Sequence, residues 1–278
     1  MTYKSILVHA DASPSALARF RIAAQLARRF DAHLSACAPT GISRFLPPDV
    51  LVREGTPLAE CCAAMRANAA EALRSFAQVA SEQGISLVEE RMIDDDAGGI
   101  ALHARYADLV VVSQPGEALP TRGSASELPG YLLRECGRPL LVVPRDGGAD
   151  GLEGDILFAW DGSVEATRAL IAALPLMRTA PRVGIMHVDD GRAWPDEARA
   201  SAQAMLQYLR RQGVAAQIYR HQGGRFDVAG ALLSAAAEAG AGLLVMGGYG
   251  RSPLHESLLG GVSAAVLRSM TLPVLLAH

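Results

Sequence analysis

The residues with the clearest chemical potential lie in Met246–Leu267, MGGYGRSPLHESLLGGVSAAVL, where five glycines fall just before and just inside an apolar helical pattern. Glycine in a regular element is destabilising by roughly 0.5–1 kcal/mol relative to alanine, so this density marks a place where the backbone itself is used. Gly247 and Gly250 follow an apolar strand, are free to adopt positive φ and leave no side chain in the way. Gly260 and Gly261 open the next helix, whose N-terminus presents unpaired N–H groups and the positive end of a dipole. Glycines there let an anion approach the backbone closely, and the chemistry that suits such a turn is the holding of phosphates. The run lacks the Gly-Lys-Ser/Thr ending of Walker A and is not G-x-G-x-x-G. From Gly247 it reads G-x2-G-x9-G.

A second feature is an Asp closing an apolar strand. It occurs twice, as Asp11 in KSILVHADASPSALARF and Asp161 in GDILFAWDGSVEATRAL, 150 positions apart. Asp before a helix is a common N-cap, but Gly162 and Ser163 are equally placed to cap, so a ligand role for Asp161 stays open beside the capping one. Arg251 is placed to reach a phosphate or to stand solvated beside the loop. His9 and His187 read as packed core histidines, while His255 and Glu256 have no third partner for catalysis. Asp189 and Asp190 follow a strand without metal-ligand spacing, and Lys4 is the chain's only lysine, which argues against Lys-dependent phosphoryl transfer. No catalytic residue and no metal ligand is assigned.

The elements that must position these residues are written twice. In the first half strands are expected at 4–10, 32–38, 85–93, 108–113 and 139–143, with helices at 14–29, 58–83, 98–106 and 125–136. The second half repeats the order, with strands at 155–160, 182–188, 214–221, 242–247 and 272–277 and helices at 163–178, 195–212, 227–239 and 260–270. Runs such as LVVV and LLVM are apolar on both faces, the mark of parallel strands covered by helices. Alternating βα units give an α/β chain of two tandem doubly wound parallel-sheet domains, 1–146 and 154–278, joined by the Gly- and Asp-rich RDGGADGLEG. Pro139 and Pro273 correspond 134 positions apart, so the first half carries extra residues, placed in a long loop around TGISRFLPPDVLVREGTP, 40–57.

Composition narrows the function classes. Half of the 278 residues are hydrophobic and the formal charge is −3, giving no electrostatic reason to expect nucleic acid or an anionic membrane. No apolar run reaches the roughly 18 residues of a membrane span, and the first residues do not read as a signal peptide. Cys37, Cys61, Cys62 and Cys136 show neither C-x-x-C nor metal spacing and read as free thiols of a reducing cytoplasm.

The glycine spacing resembles the ATP-binding signature of the universal stress protein family, and the likeness spans nearly the whole chain as a tandem pair. HADAS, AWDGS, MHVDD and LPVLLAH look like family landmarks. The resemblance implies a flavodoxin-related fold with strand order 3-2-1-4-5 in each half. It places Ala159, Trp160 and Asp161 at the nucleoside, the backbone of Val188 at adenine, Met246, Gly247, Gly250 and Gly260 in the phosphate loop and Val262 in the lining of the pocket; Arg251 beside the loop and the backbone of Gly261 complete the candidate nucleotide-binding set. The family pattern has Ser or Thr where Gly261 stands, so one phosphate-binding hydroxyl is missing; Ser263 lies about 200° round a helix and is not expected to replace it.

In the first half the matching loop is Ser113, Gln114, Pro115 and Gly116, continuing to Ser126 and Glu127; only Gly116 of the three motif glycines survives, and Glu127 would set a carboxylate against phosphate. A regulatory protein binding ATP or another adenine nucleotide, with or without Mg, in its C-terminal half is therefore expected. A slow ATPase or adenylate-transferring enzyme, and a structural stress factor binding no nucleotide, are the alternatives. The apolar fifth strands PLLVVP and PVLLAH are edges that invite pairing. They are expected to meet within one chain as an intramolecular pseudo-dimer, with a further homodimer left open.

Overall fold

Short runs buried on both faces pair as parallel strands, and the alanine-rich stretches between them cover the sheet as helices. The computed structural model describes residues 2–46, 56–116, 128–146, 152–189, 195–222, 227–249 and 261–278. The chain divides into two units, Tyr3–Arg138 and Pro139–His278.

The first unit runs β1 (Ser5–His9), α1 (Ala16–Phe30), β2 (His33–Pro39), α2 (Pro57–Glu82), β3 (Val88–Ile93), α3 (Ala97–Ala104), β4 (Leu109–Ser113) and α4 (Leu128–Glu135). Its strands are parallel in the order β3-β2-β1-β4. Ile6, Val8 and Leu109–Val112 are wholly buried. Above them Phe20 of α1 meets Phe76 of α2 edge to face, ring centroids 5.5 Å apart, an arrangement aromatic quadrupoles favour.

The second unit runs β5 (Leu140–Val143), β6 (Asp155–Ala159), α5 (Val164–Met177), β7 (Val183–Asp189), α6 (Asp196–Arg211), β8 (Ala216–Gln222), α7 (Val228–Glu238), β9 (Ala241–Gly247), α8 (Val262–Ser269) and β10 (Val274–Ala277). Parallel pairing gives the order β8-β7-β6-β9-β10, which is the expected 3-2-1-4-5. On the far side of β10 lies β5, antiparallel, with Val274 opposite Val142 and Leu276 opposite Leu140. The two apolar fifth strands thus cover each other's edges, and every residue of both is buried.

The differences from the sequence expectation lie at turns. The expected strand at 85–93 begins only at Val88, because Gly84 adopts φ 79° and the Ile85 amide returns to Ala80 O, closing α2 in a left-handed cap. Gly213 (φ 76°), with Val214 N on Leu209 O, delays β8 in the same way to Ala216. Helix α1 starts at Ala16 rather than at residue 14, since Ser13 and Ser15 form a turn beneath Asp11. Parts of the long loop (47–55), of the linker (147–151) and the start of the expected helix at 125–136 (125–127) lie outside the described residues. The four cysteines are free, and burial pushes the Cys37 thiol up to about 12. Among the described residues no helix is long and apolar enough to cross a membrane.

Candidate functional site

In an open parallel sheet the crevice lies beyond the carboxyl ends of the strands, where the order reverses. In the second unit that place falls between β6, which neighbours both β7 and β9, and the residues following it. The chain leaves β6 through Trp160, Asp161 and Gly162 (φ 80°) and enters α5 at Ser163. Ser163 Oγ accepts the Ala166 amide at 3.1 Å and is the helix N-cap. The capping alternative for Asp161 is thereby removed. Its Oδ1 accepts the Ser163 amide at 3.0 Å, and the exposed carboxylate remains beside the crevice.

Trp160 is fixed at both ends. Its backbone N–H donates to Met186 O at 3.2 Å, and its indole Nε1–H donates to Ser201 Oγ on α6 at 3.0 Å. Trp160, Asp161, Met186 and His187 together with Glu197 and Ser201 line a cavity of about 240 Å³. Glu197 and Ser201 were not foreseen. Their four-residue spacing puts them on one helical face, yet nothing local says that this face turns toward the end of β6.

Of the other expected residues, Ala159 ends β6, Val188 lies one residue beyond His187 in β7, and Met246 and Gly247 end β9. Gly247 makes no use of positive φ: it is not among the residues that adopt it. What it needs is proximity, since a Cβ built there would lie 2.6 Å from Ala166 N and 2.8 Å from Glu165 C, both backbone atoms of α5. The left-handed conformation falls instead on Tyr249 (φ 56°), uncommon for a residue with a bulky side chain. Ser263 is buried and its Oγ accepts the Tyr249 amide at 3.2 Å, so this hydroxyl secures the loop's first turn. Gly261 is the N-cap of α8 and provides no side-chain cap to the helix's first turn. Gly250, Arg251, Gly260, His255, Glu256 and Asp190 lie outside the described residues.

The matching place in the first unit is chemically different. Asp11 Oδ1 accepts the Ser13 amide (3.1 Å), Ser13 Oγ (2.6 Å) and the Arg19 guanidinium (2.7 Å). Arg19, 0% exposed, also donates to Ser113 Oγ at 2.5 Å. Burial by itself would raise Asp11, but Arg19, His9 and Ser13 outweigh it and hold the carboxylate well below its usual range. His9, buried with Nδ1 3.7 Å from Asp11 Oδ2, is held down at about 4 by burial and then by Arg19, against the opposing pull of Asp11. Gln114 is buried, and Ser126 and Glu127 lie outside the described residues.

This geometry sets a pH dependence. A histidine neutral in the fold down to about pH 4 is protonated on unfolding below about 6.5. Its contribution is therefore fully present above pH 6.5 and declines as the pH falls to 4, by on the order of 3 kcal/mol. Urea melts of wild type between pH 7.5 and 4.5 should show this decline, and His9→Gln should flatten it. An unchanged slope in the variant would locate the acid sensitivity elsewhere.

A doubly wound α/β sheet, written twice, with a cavity at the strand ends in its second copy, defines the class. The universal stress protein family model matches residues 2–144 and again 154–278. The chain belongs to that family, as a tandem member. No curated protein matches it. Among solved structures, a universal stress protein from Archaeoglobus fulgidus DSM 4304 is 20% identical, with 98% of this chain and 95% of that one covered and a TM-score of 0.72. A putative universal stress protein from Pseudomonas aeruginosa UCBPP-PA14 is 18% identical, with 98% and 92% covered and a TM-score of 0.55. Both show the fold alone.

Proposed function

We propose that the chain is a regulatory universal stress protein whose second half, 154–278, binds ATP or another adenine nucleotide, with or without Mg, while its first half, 1–146, does not. The observation that carries this reading is the cavity at the end of β6, where Asp161 is relieved of helix capping and Trp160 is anchored by Ser201. At about 240 Å³ it is small beside the roughly 300–1,000 Å³ of whole small-molecule pockets. It fits a base and sugar, not the phosphates as well. The indole offers an aromatic wall for a base, and Asp161 and Glu197 are acceptors for sugar hydroxyls or an exocyclic amine. Two carboxylates disfavour phosphate in the cavity itself. The anionic tail belongs over the β9 end and the α8 N-terminus, where Met246 and Gly247 end the strand, Gly261 caps the helix without a side chain and Val262 begins it. The reducing cytoplasm remains the compartment that the free thiols favour.

The absent hydroxyl at Gly261 and the engagement of Ser263 by Tyr249 favour one competing reading, a stress factor without nucleotide. Calorimetric titration with ATP and with AMP, followed also by fluorescence in a Trp194→Phe background that leaves Trp160 as the single indole, separates the two. One site per chain is expected, with indole emission changing in step. No heat and no emission change would leave the structural factor, and two equivalent sites would refute the asymmetry. Mass spectrometry of ligand released from denatured protein adds the identity of the bound species.

A further inference from the structure

The two halves use the same strand-end aspartate in opposite ways. Asp11 and Asp161 each accept the amide two residues on, at 3.1 and 3.0 Å. There the likeness stops. In the first half the guanidinium of Arg19 rises from α1 and bridges Asp11 Oδ1, after β1, to Ser113 Oγ, at the end of β4. At the repeat spacings of the two halves, Arg19 corresponds to Ala169 and Ser113 to Gly247. The second half closes the same junction with its smallest residues. Ala169 is wholly buried, and Gly247 packs so tightly on α5 that a Cβ would meet Ala166 N at 2.6 Å. Among the described residues no guanidinium reaches Asp161, which stays exposed at its cavity.

We propose that Arg19 is a built-in occupant of the first half's strand-end crevice and, with Ser113, the residue that sets which half accepts a nucleoside. Every hydrogen bond of Asp11 falls on Oδ1, so a sugar hydroxyl seeking that oxygen must displace a partner already bound there, among them the buried, charge-assisted planar fork of Arg19. Displacement would also leave the guanidinium without its counter-ion inside the protein, the expensive way to break a buried pair. Arg19 acts through Asp11 and is a positioning residue. The inference deepens the reading that the second half binds nucleotide, and it rests on that reading for the choice of ligand.

The test uses adenosine, which carries no phosphate and so does not depend on the altered loop after Ser113. Wild type and the full-length double variant Arg19→Ala/Ser113→Gly, which installs the second half's residues, are titrated by calorimetry. The variant should take up one more adenosine per chain than wild type, and adding Asp11→Ala should abolish that extra site. A folded variant with no added site overturns the proposal. The wild-type count reports separately on the second half: zero there refutes the proposed function, while a gain from zero to one would still uphold the role of Arg19. A second measurement needs no variant. In wild type the side-chain Nε–H resonance of Arg19 should be slow to exchange and unmoved by 10 mM adenosine (about the upper practical concentration for a weak, Kd ~1 mM ligand). A shift or faster exchange would show that the first half is open and overturn the proposal.

Discussion

Asp161→Ala is expected to weaken ATP and adenosine alike, by at least tenfold, or about 1.4 kcal/mol, while the melting temperature stays near that of wild type. The two losses should match because the carboxylate faces the cavity rather than the phosphates' path. Stability should hold because the cap of α5 is Ser163, whose Oγ accepts Ala166 N; the Asp161 carboxylate contributes only the local bond to the Ser163 amide. The companion variant reverses the pattern. Ser163→Ala should lower stability by the ~1 kcal/mol of a lost N-cap and leave affinity within about twofold, below 0.5 kcal/mol. Isothermal titration with thermal melts on both variants checks the pair. A melting-temperature drop in Asp161→Ala with unchanged affinity would return that residue to a structural role.

Gly247→Val should have the larger structural effect. Its Cβ would fall within 2.6–2.9 Å of Ala166 N, Glu165 C and Glu165 Cβ. Two of these are backbone atoms of a helix packed on β9, so rotamer changes cannot relieve the clash. Either β9 or the start of α5 must move, and overpacking of this kind is destabilising by about 1–3 kcal/mol. Because Asp161 and Ser163 introduce α5, the displacement also misplaces the nucleoside side of the crevice. Nucleotide binding should fall below detection at millimolar ligand, and the denaturation midpoint should drop while m stays constant. A variant that binds as wild type would show that β9 and α5 approach less closely than the geometry here requires.

Much of this protein was legible from its residues. The doubled βα pattern, the apolar runs LVVV and LLVM, and the turn glycines are local signals, because a strand buried on both faces needs an apolar residue at every position. The second half's strand order followed from family resemblance, and the apolar character of PLLVVP and PVLLAH marked the two edges that pair as β5 and β10. At Gly247 the structure supplies a different reason from the one the sequence offered. Gly247 was read as free to adopt φ > 0, yet it is required by a neighbouring helix, and the left-handed residue is Tyr249. Turn chemistry is visible in a sequence, but the distance between a strand and a helix on top of it is not.

By itself the sequence determined the repeated α/β architecture, the strand-end aspartates and the glycine spacing that follows β9, because each depends on the period and conformational freedom of a short stretch of chain. Only the tertiary structure decided which partners those aspartates meet. Arg19 reads as one more basic residue in an amphipathic helix until packing carries it into contact with Asp11 and Ser113, the latter 94 positions away. Ser201 and Glu197 carry no local sign of a role until their helix lies over Trp160. Such pairings join elements distant in the chain, and the packing that selects them is a property of the whole fold rather than of any one segment.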